Sequence, residues 1–253
     1  MKHISALVFF VVLFISASRA DVVGRSHVYS AGGLEFEGYV AYDDSVEGQR
    51  PVVLVAHQWT GLGDYEKLRA RMLAEMGYLA FCVDIYGKGE RAGNREQAQS
   101  YATKYRSDRR LMRQRAEAGL AAALQLPEAD PDRVAAIGYC FGGGVVLELA
   151  RGGADIAGIV SFHGNLDTPD ADDAKRIKGS ILVCHGGGDA GVPMSQVTAF
   201  HAEMEAAKVD YQLVVYAGAV HGFTHLDQPE RYHEAADRRS WKHMRAFFEE
   251  ILK

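Results

Sequence analysis

Three cysteines in 253 residues are too few for a disulfide scaffold, and their spacing matches no zinc motif. Lys and Arg (28) are outnumbered by Asp and Glu (33), so the net charge of −5 argues against a nucleic-acid partner. The N-terminal apolar run, Ile4 to Ile15, has 12 residues, whereas a helix that crosses a bilayer needs roughly 20. The chain has no internal repeat, no low-complexity linker and no break that would divide two domains. Glycines 186–188 are accompanied by neither the Lys of a phosphate loop nor dinucleotide-binding spacing. His221 and His225 are four apart but lack the HExxH frame, so no metal is expected, and nothing calls for a cofactor.

What is present starts with a leader. Lys2 and His3 precede the apolar run, and Ser18 and Ala20 place small residues at −3 and −1 for cleavage after Ala20. Residues 1–20 therefore read as a signal peptide, and the expected location is periplasmic or secreted. Residues 21–253 then form one domain with a net charge of −7, because Lys2 and Arg19 are lost, and the mature form has no membrane segment. Cys82 and Cys184 lie in apolar, strand-like runs and read as buried structural thiols. Arg106, Arg109, Arg110, Arg113 and Arg115, interspersed with Asp108 and Glu117, read as a solvated helix face.

Along the chain, short apolar runs alternate with longer amphipathic ones. The strands predicted are Val28–Ser30 and Leu34–Tyr42 as a hairpin, then Pro51–Ala56, Leu79–Ile85, Arg133–Ile137, Ile156–Phe162, Ile181–Val183 and Gln212–Tyr216. The helices predicted are Tyr65–Met76, Arg95–Tyr105, Asp108–Leu126, Gly142–Arg151, Met194–Lys208 and a closing one within Pro229–Leu252. This alternation implies an α/β fold with a mainly parallel sheet covered by helices on both faces. In such a sheet, ligands bind beyond the carboxyl ends of the strands.

Gly138-Tyr139-Cys140-Phe141-Gly142 joins one of these strands to the next helix. Small residues at ±2 around a nucleophile mark the sharp strand–turn–helix elbow of serine hydrolases, here with cysteine at the apex. Asp189 follows a strand 49 residues later and His221 follows the last strand after a further 32. Nucleophile, acid, histidine is the chain order of the α/β-hydrolase fold. Cys140, Asp189 and His221 are thus the candidate catalytic residues; the rival acids are Asp167 and Asp227. The backbone N–H groups of Phe141 and Trp59 are the candidate oxyanion hole. His57 and His163 also follow strands and read as pocket-lining or hydrogen-bonding groups.

With these residues in place, the chain resembles the dienelactone hydrolase family of α/β-hydrolases. The carriers are Gly138-Tyr139-Cys140-Phe141-Gly142-Gly143, the Asp189 turn, His221-Gly222-Phe223 and Val83-Asp84-Ile85-Tyr86-Gly87. The resemblance implies a sheet of about eight strands, no metal, and hydrolysis of a lactone or other carboxylic ester. Gln58 stands where chlorocatechol-pathway members carry a glutamate that governs the charge of the cysteine, so Cys140 is expected to pair directly with His221. Those members hold a substrate carboxylate through arginines, and the matching positions here are His225 and the neighbourhood of Lys88. Gln58, Trp59, Tyr86, Lys88, His163 and His225 are therefore the candidate substrate-binding residues. The expected partner is a small-molecule ester, lactone or thioester, handled by a general esterase. The competing reading is a non-hydrolytic protein that uses Cys140 as a reactive thiol or only binds small molecules.

Overall fold

Strands buried on both faces require a layer of helices on each side, and this is the arrangement found. The computed structural model describes residues 21–253, so the leader read at 1–20 lies outside the described residues. A hairpin of β1 (Val22–Ala31) and β2 (Leu34–Asp43) opens the sheet and turns at Gly32-Gly33, both at positive φ. Six strands follow: β3 (Arg50–Ala56), β4 (Leu79–Val83), β5 (Ala129–Tyr139), β6 (Gly158–Phe162), β7 (Ser180–Gly186) and β8 (Tyr211–Tyr216). The sheet order is β1-β2-β4-β3-β5-β6-β7-β8. β4 through β8 pair in parallel, and the hairpin makes the first edge antiparallel.

Helices α1 (Asp64–Ala74) and α6 (Glu234–Ile251) cover one face of the sheet. Helices α2 (Arg95–Ser107), α3 (Arg109–Leu124), α4 (Phe141–Arg151) and α5 (Met194–Ala207) cover the other. The two-residue period of β3 serves both layers. Val52, Leu54 and Ala56 pack toward the larger helical layer, and Val53 and Val55 toward α1 and α6. Cys82 and Cys184 are fully buried within these strands, as their apolar surroundings predict. Among the described residues, no helix is long and apolar enough to cross a membrane.

Several boundaries differ from those predicted; β1 starts at Val22 instead of Val28, and β7 runs on to Gly186 instead of Val183. β5 starts at Ala129, because a register shift between Pro51 and Val52 lets the polar stretch before Arg133 run alongside β3. α6 starts at Glu234, where the His233 ring accepts the Ala236 N–H (3.3 Å) and caps the helix.

The arginine cluster also needs correction. The helical pattern breaks at Asp108, whose side chain accepts the Leu111 N–H and starts α3 in a new direction. Of the five arginines only Arg110 is exposed. Arg113 bonds Glu148 and Asp173, Arg109 pairs with Asp167, Arg115 lies over the Phe36 ring, and Arg106 points to Asn165. Charge alternation along the sequence mimics a solvated face, although these guanidiniums are ties between elements.

Between β5 and α4 the chain turns through one residue. Cys140 has φ 54° and ψ −116°, a conformation that costs a non-glycine residue of order 1–3 kcal/mol. The turn is possible because its flanks have no side chains. A Cβ on Gly138 would lie 2.0 Å from the Gly142 carbonyl oxygen, and one on Gly142 would lie 2.1 Å from that of Ala56. The far end of α4 is anchored by Arg151, which is fully buried and bonds Glu203 on α5 (2.8 and 2.6 Å) and Glu148 (3.0 Å). With backbone on both sides and the helix held at its end, the elbow cannot relax.

Gly138→Ala is therefore expected to destabilise the protein by about 3 kcal/mol, an overpacking cost at its upper range. Differential scanning calorimetry should show this as a fall in Tm of roughly 6–12 °C. A change within 1–2 °C, about the size expected of an innocuous substitution, would mean that the elbow adapts.

Candidate active site

The loops beyond β5, β7 and β8 converge at the carboxyl edge of the sheet and bring Cys140, Asp189 and His221 together. The elbow presents Cys140 at the start of α4, 8 % exposed. Asp189 sits in the turn after β7. Its Oδ1 accepts the N–H groups of Gly191 (2.8 Å) and Val192 (3.0 Å), which leaves Oδ2 aimed at His221 Nδ1 at 2.8 Å. His221, in the loop after β8, places Nε2 3.0 Å from Cys140 Sγ. The rival acids lie elsewhere: Asp167 pairs with Arg109, and Asp227 is an exposed neighbour of His225.

The electrostatics favour a charged pair. Burial of the Cys140 thiol opposes ionisation. The hydrogen bond and charge of His221, the Arg106 guanidinium and the Phe141 N–H outweigh it and bring the thiol below its ordinary value. Burial likewise disfavours the imidazolium of His221, yet Asp189 and Cys140 push its pKa up to about 10. Asp189 is lowered: burial opposes this, but His221 and the Val192 and Gly191 N–H groups prevail.

The loop after β3 packs against the elbow, because Gly142 has no Cβ to hold it away from Ala56 and His57. His57 is buried and braces this loop. Its Nδ1 donates to the Gln58 carbonyl (2.6 Å) and its Nε2 accepts the Ile85 N–H (3.2 Å), so the ring is neutral. Burial lowers its pKa, in keeping with that state. The Trp59 N–H has no hydrogen-bond acceptor among the described residues, while its carbonyl takes the Tyr86 hydroxyl (2.9 Å). The Gln58 side chain is held at both ends. Its Nε2 faces the buried carboxylate of Glu66 (3.4 Å) and its Oε1 faces His225 Nε2 (2.5 Å). The carboxylate is thus displaced one layer outward, onto Glu66, and an uncharged amide separates it from the cavity.

Cys140 and His221 open into a cavity of about 480 Å³ bordered by Gln58, Trp59, Asn165 and His225. Three arginines also face it: Arg95 and Arg106 from the two ends of α2, and Arg231 from the segment before α6. Among the described residues, no acidic side chain lines it. Arg106 is set by a 2.6 Å bond to Asn165 Oδ1 and lies 5.9 Å from the centre of the Phe141 ring; Arg95 lies 5.7 Å over Trp59. These arginines and Asn165 were missed as site residues. One signal was available, since 95, 99 and 106 fall on one stripe of a helix with a 3.6-residue period, and Gln99 does line the cavity with them.

Of the residues read as substrate-binding, Gln58, Trp59 and His225 border the cavity. Lys88 does not. It is exposed, pairs with Glu35 (3.1 Å) and borders a separate hollow under the β1–β2 turn. Tyr86 borders that same hollow and supports the site from behind, with its hydroxyl on the Trp59 carbonyl and its ring against His57 and Phe141. His163 is fully buried, and both its ring nitrogens bond protein atoms.

Comparison with known proteins identifies the family. The model of the dienelactone hydrolase family matches residues 36–252. A Synechocystis protein named "Putative carboxymethylenebutenolidase" is 28 % identical over 239 residues, covering 87 % of this chain and 94 % of its own. Two solved structures each superpose with a TM-score of 0.88 over 92 % of this chain and 99 % of theirs. They are m3DLH, 36 % identical, and the metagenomic dienelactone hydrolase-like promiscuous phosphotriesterase P91, 38 % identical. By family match, fold and sheet topology, the chain belongs to the dienelactone hydrolase family of the α/β-hydrolase superfamily.

Proposed function

We propose that this hydrolase cleaves a carboxylic ester, lactone or thioester through Cys140, His221 and Asp189, by way of an acyl-enzyme. The observation that carries this reading is the pair of short contacts, 3.0 Å from Sγ to Nε2 and 2.8 Å from Nδ1 to Oδ2, at the strained elbow. The Cys140 thiolate attacks the carbonyl carbon, a C–S bond forms, and the carbonyl electron pair moves to oxygen. The Phe141 and Trp59 N–H groups receive this oxyanion. As the intermediate collapses, the alcohol oxygen leaves and takes the Nε2 proton of His221. Neutral His221 then draws a proton from water, hydroxide attacks the acyl carbon, and the C–S bond breaks. Acid is released, and thiolate and imidazolium are restored.

The acyl or alcohol part of the substrate carries negative charge. Arg95, Arg106 and Arg231 face the cavity with no carboxylate among its lining residues, and a guanidinium takes a carboxylate bidentately. The enzyme is exported once the leader at 1–20 is removed. The triad, not the surrounding charge, is the source of the chemistry, so neutral esters remain substrates.

Cys140→Ala should lower kcat/KM for p-nitrophenyl acetate by at least about a thousandfold, the scale seen when a nucleophile is removed. Turnover that survives in the variant would reject Cys140. A phosphotriester assayed beside it tests whether the same site also acts at phosphorus, as the phosphotriesterase P91 does; Cys140-dependent turnover would extend the reading.

Protonation gives a second prediction. Iodoacetamide should label Cys140 with a midpoint well below the free-thiol value of about 8.5, and Asp189→Asn should raise that midpoint. His221 is charged below its raised pKa of about 10 and loses its proton as pH rises through that value. The leaving group then has no acid, so kcat/KM should fall above about pH 10. A wild-type labelling midpoint near the free-thiol value would contradict the ion pair.

Specificity gives a third. Arg106→Leu should reduce the preference for an anionic ester, such as a p-nitrophenyl hemisuccinate, over the neutral acetate by about tenfold, one charge-assisted contact. An unchanged ratio of the two kcat/KM values would remove Arg106 from substrate binding.

A further inference from the structure

His163 is a buried titratable group for which the proposed chemistry has no use. It follows β6, is fully buried, and has φ 40°, a left-handed backbone that histidine seldom adopts. Its Nδ1 lies 3.2 Å from the Cys140 backbone N–H, which it shares with the Phe162 carbonyl at 3.0 Å. Its Nε2 lies 2.9 Å from Thr224 Oγ1. Thr224 is three residues beyond His221 on the loop that carries the triad histidine. One ring therefore bridges the nucleophile's own backbone and the base's loop.

The direction of each hydrogen follows from its partners. A backbone N–H can only donate, so Nδ1 accepts from Cys140 and the single proton of a neutral ring is on Nε2, donated to Thr224. On its other side Thr224 Oγ1 takes the Tyr65 hydroxyl (2.7 Å), and Tyr65 takes the Arg69 Nε–H (3.2 Å). Arg69 in turn bonds the Thr224 carbonyl (3.0 Å) and Asp237 (2.7 Å). The His221 loop is thereby pinned to α1 and α6 from behind and to the elbow through His163.

The groups around the ring keep it neutral. His221 is 5.3 Å away edge to face, His225 is 6.3 Å away, Phe223 closes another side at 5.2 Å, and Arg69 adds positive charge from α1. Burial first, and then His221 and His225, press the His163 pKa well below its ordinary value. A charged ring here would repel the His221 imidazolium and have no lone pair for Cys140.

Resting on the hydrolase reading above, we propose that His163 is a positioning residue that ties the cysteine elbow to the His221 loop and so sets the separation of Cys140 from His221. Any buried imidazole must satisfy both nitrogens; what distinguishes His163 is that its two partners are the N–H of Cys140 itself and the loop that carries His221. The proposal makes His163 a determinant of the thiolate–imidazolium pair without contact with substrate.

Cys140 labelling by iodoacetamide across pH, read by intact mass, tests this without depending on hydrolysis. His163→Phe keeps a buried ring and removes both bonds. Its labelling midpoint should rise by about one pH unit, and kcat/KM for p-nitrophenyl acetate should fall about tenfold. His163→Asn returns an acceptor for the Cys140 N–H and tolerates positive φ, so it should recover about half of the shift. Thr224→Val removes the partner of Nε2 together with the acceptor of the Tyr65 hydroxyl, leaves the Cys140 contact in place, and should also raise the midpoint, whereas Tyr65→Phe, which removes the Tyr65 hydroxyl and leaves Thr224, should not; the pair decides the matter if His163→Phe does not fold. A folded His163→Phe or Thr224→Val protein with the wild-type midpoint, whatever its Tm, would overturn the proposal. Wild-type protein without esterase activity would instead refute the hydrolase reading, and the labelling midpoints would still judge His163.

Discussion

A single strained residue organises this site. Cys140 turns the chain from strand to helix at φ 54°, and the turn exists only because Gly138 and Gly142 leave backbone in contact with backbone. Strain of this kind persists where the surroundings over-determine it. Here the surroundings are β5 behind the residue, the β3 loop beside it, and α4 held by the buried Arg151 network. The same close packing brings the Phe141 N–H to the sulfur and the Trp59 loop to its flank. The backbone constraint thus locates both the sulfur proposed as nucleophile and the N–H groups proposed to receive an oxyanion.

Charge does the rest. Burial alone would keep the thiol neutral, and the lowered pKa arises because the His221 imidazolium bonds the sulfur directly, with the Arg106 guanidinium and the Phe141 N–H adding to it. Gln58 matters in that balance. An amide between Glu66 and His225 keeps negative charge one layer away from the sulfur, so His221 is the partner of Cys140 in this structure. Arg106 faces both the sulfur and the cavity, held by Asn165.

Much of this was legible in the residues. The parallel sheet followed from strands built on continuous apolar runs such as Val52–Ala56 and Leu79–Val83, and the elbow from two glycines four residues apart around a cysteine. Asp189 and His221 were identified by their place after strands, which the topology converts into proximity. Side-chain direction was not legible. Lys88 follows the β4 strand as a ligand-binding residue should, but it turns outward to Glu35. His163 follows β6, but positive φ buries its ring under the elbow instead of opening it to the cavity. The arginine cluster looked solvated because its acidic partners, Glu148, Asp167 and Asp173, lie 35 to 60 residues further along the chain. Pairings over such separations are set by the way helices stack on the sheet, which no local pattern contains.

The central claim is that Cys140 becomes covalently acylated during turnover. Acid quenching during the first turnovers of a p-nitrophenyl ester, followed by digestion and peptide mass analysis, measures this directly. The account predicts an acyl mass increment on the Cys140 peptide that decays as substrate is exhausted. Steady turnover with that peptide unmodified, or with the increment on another residue, would contradict it.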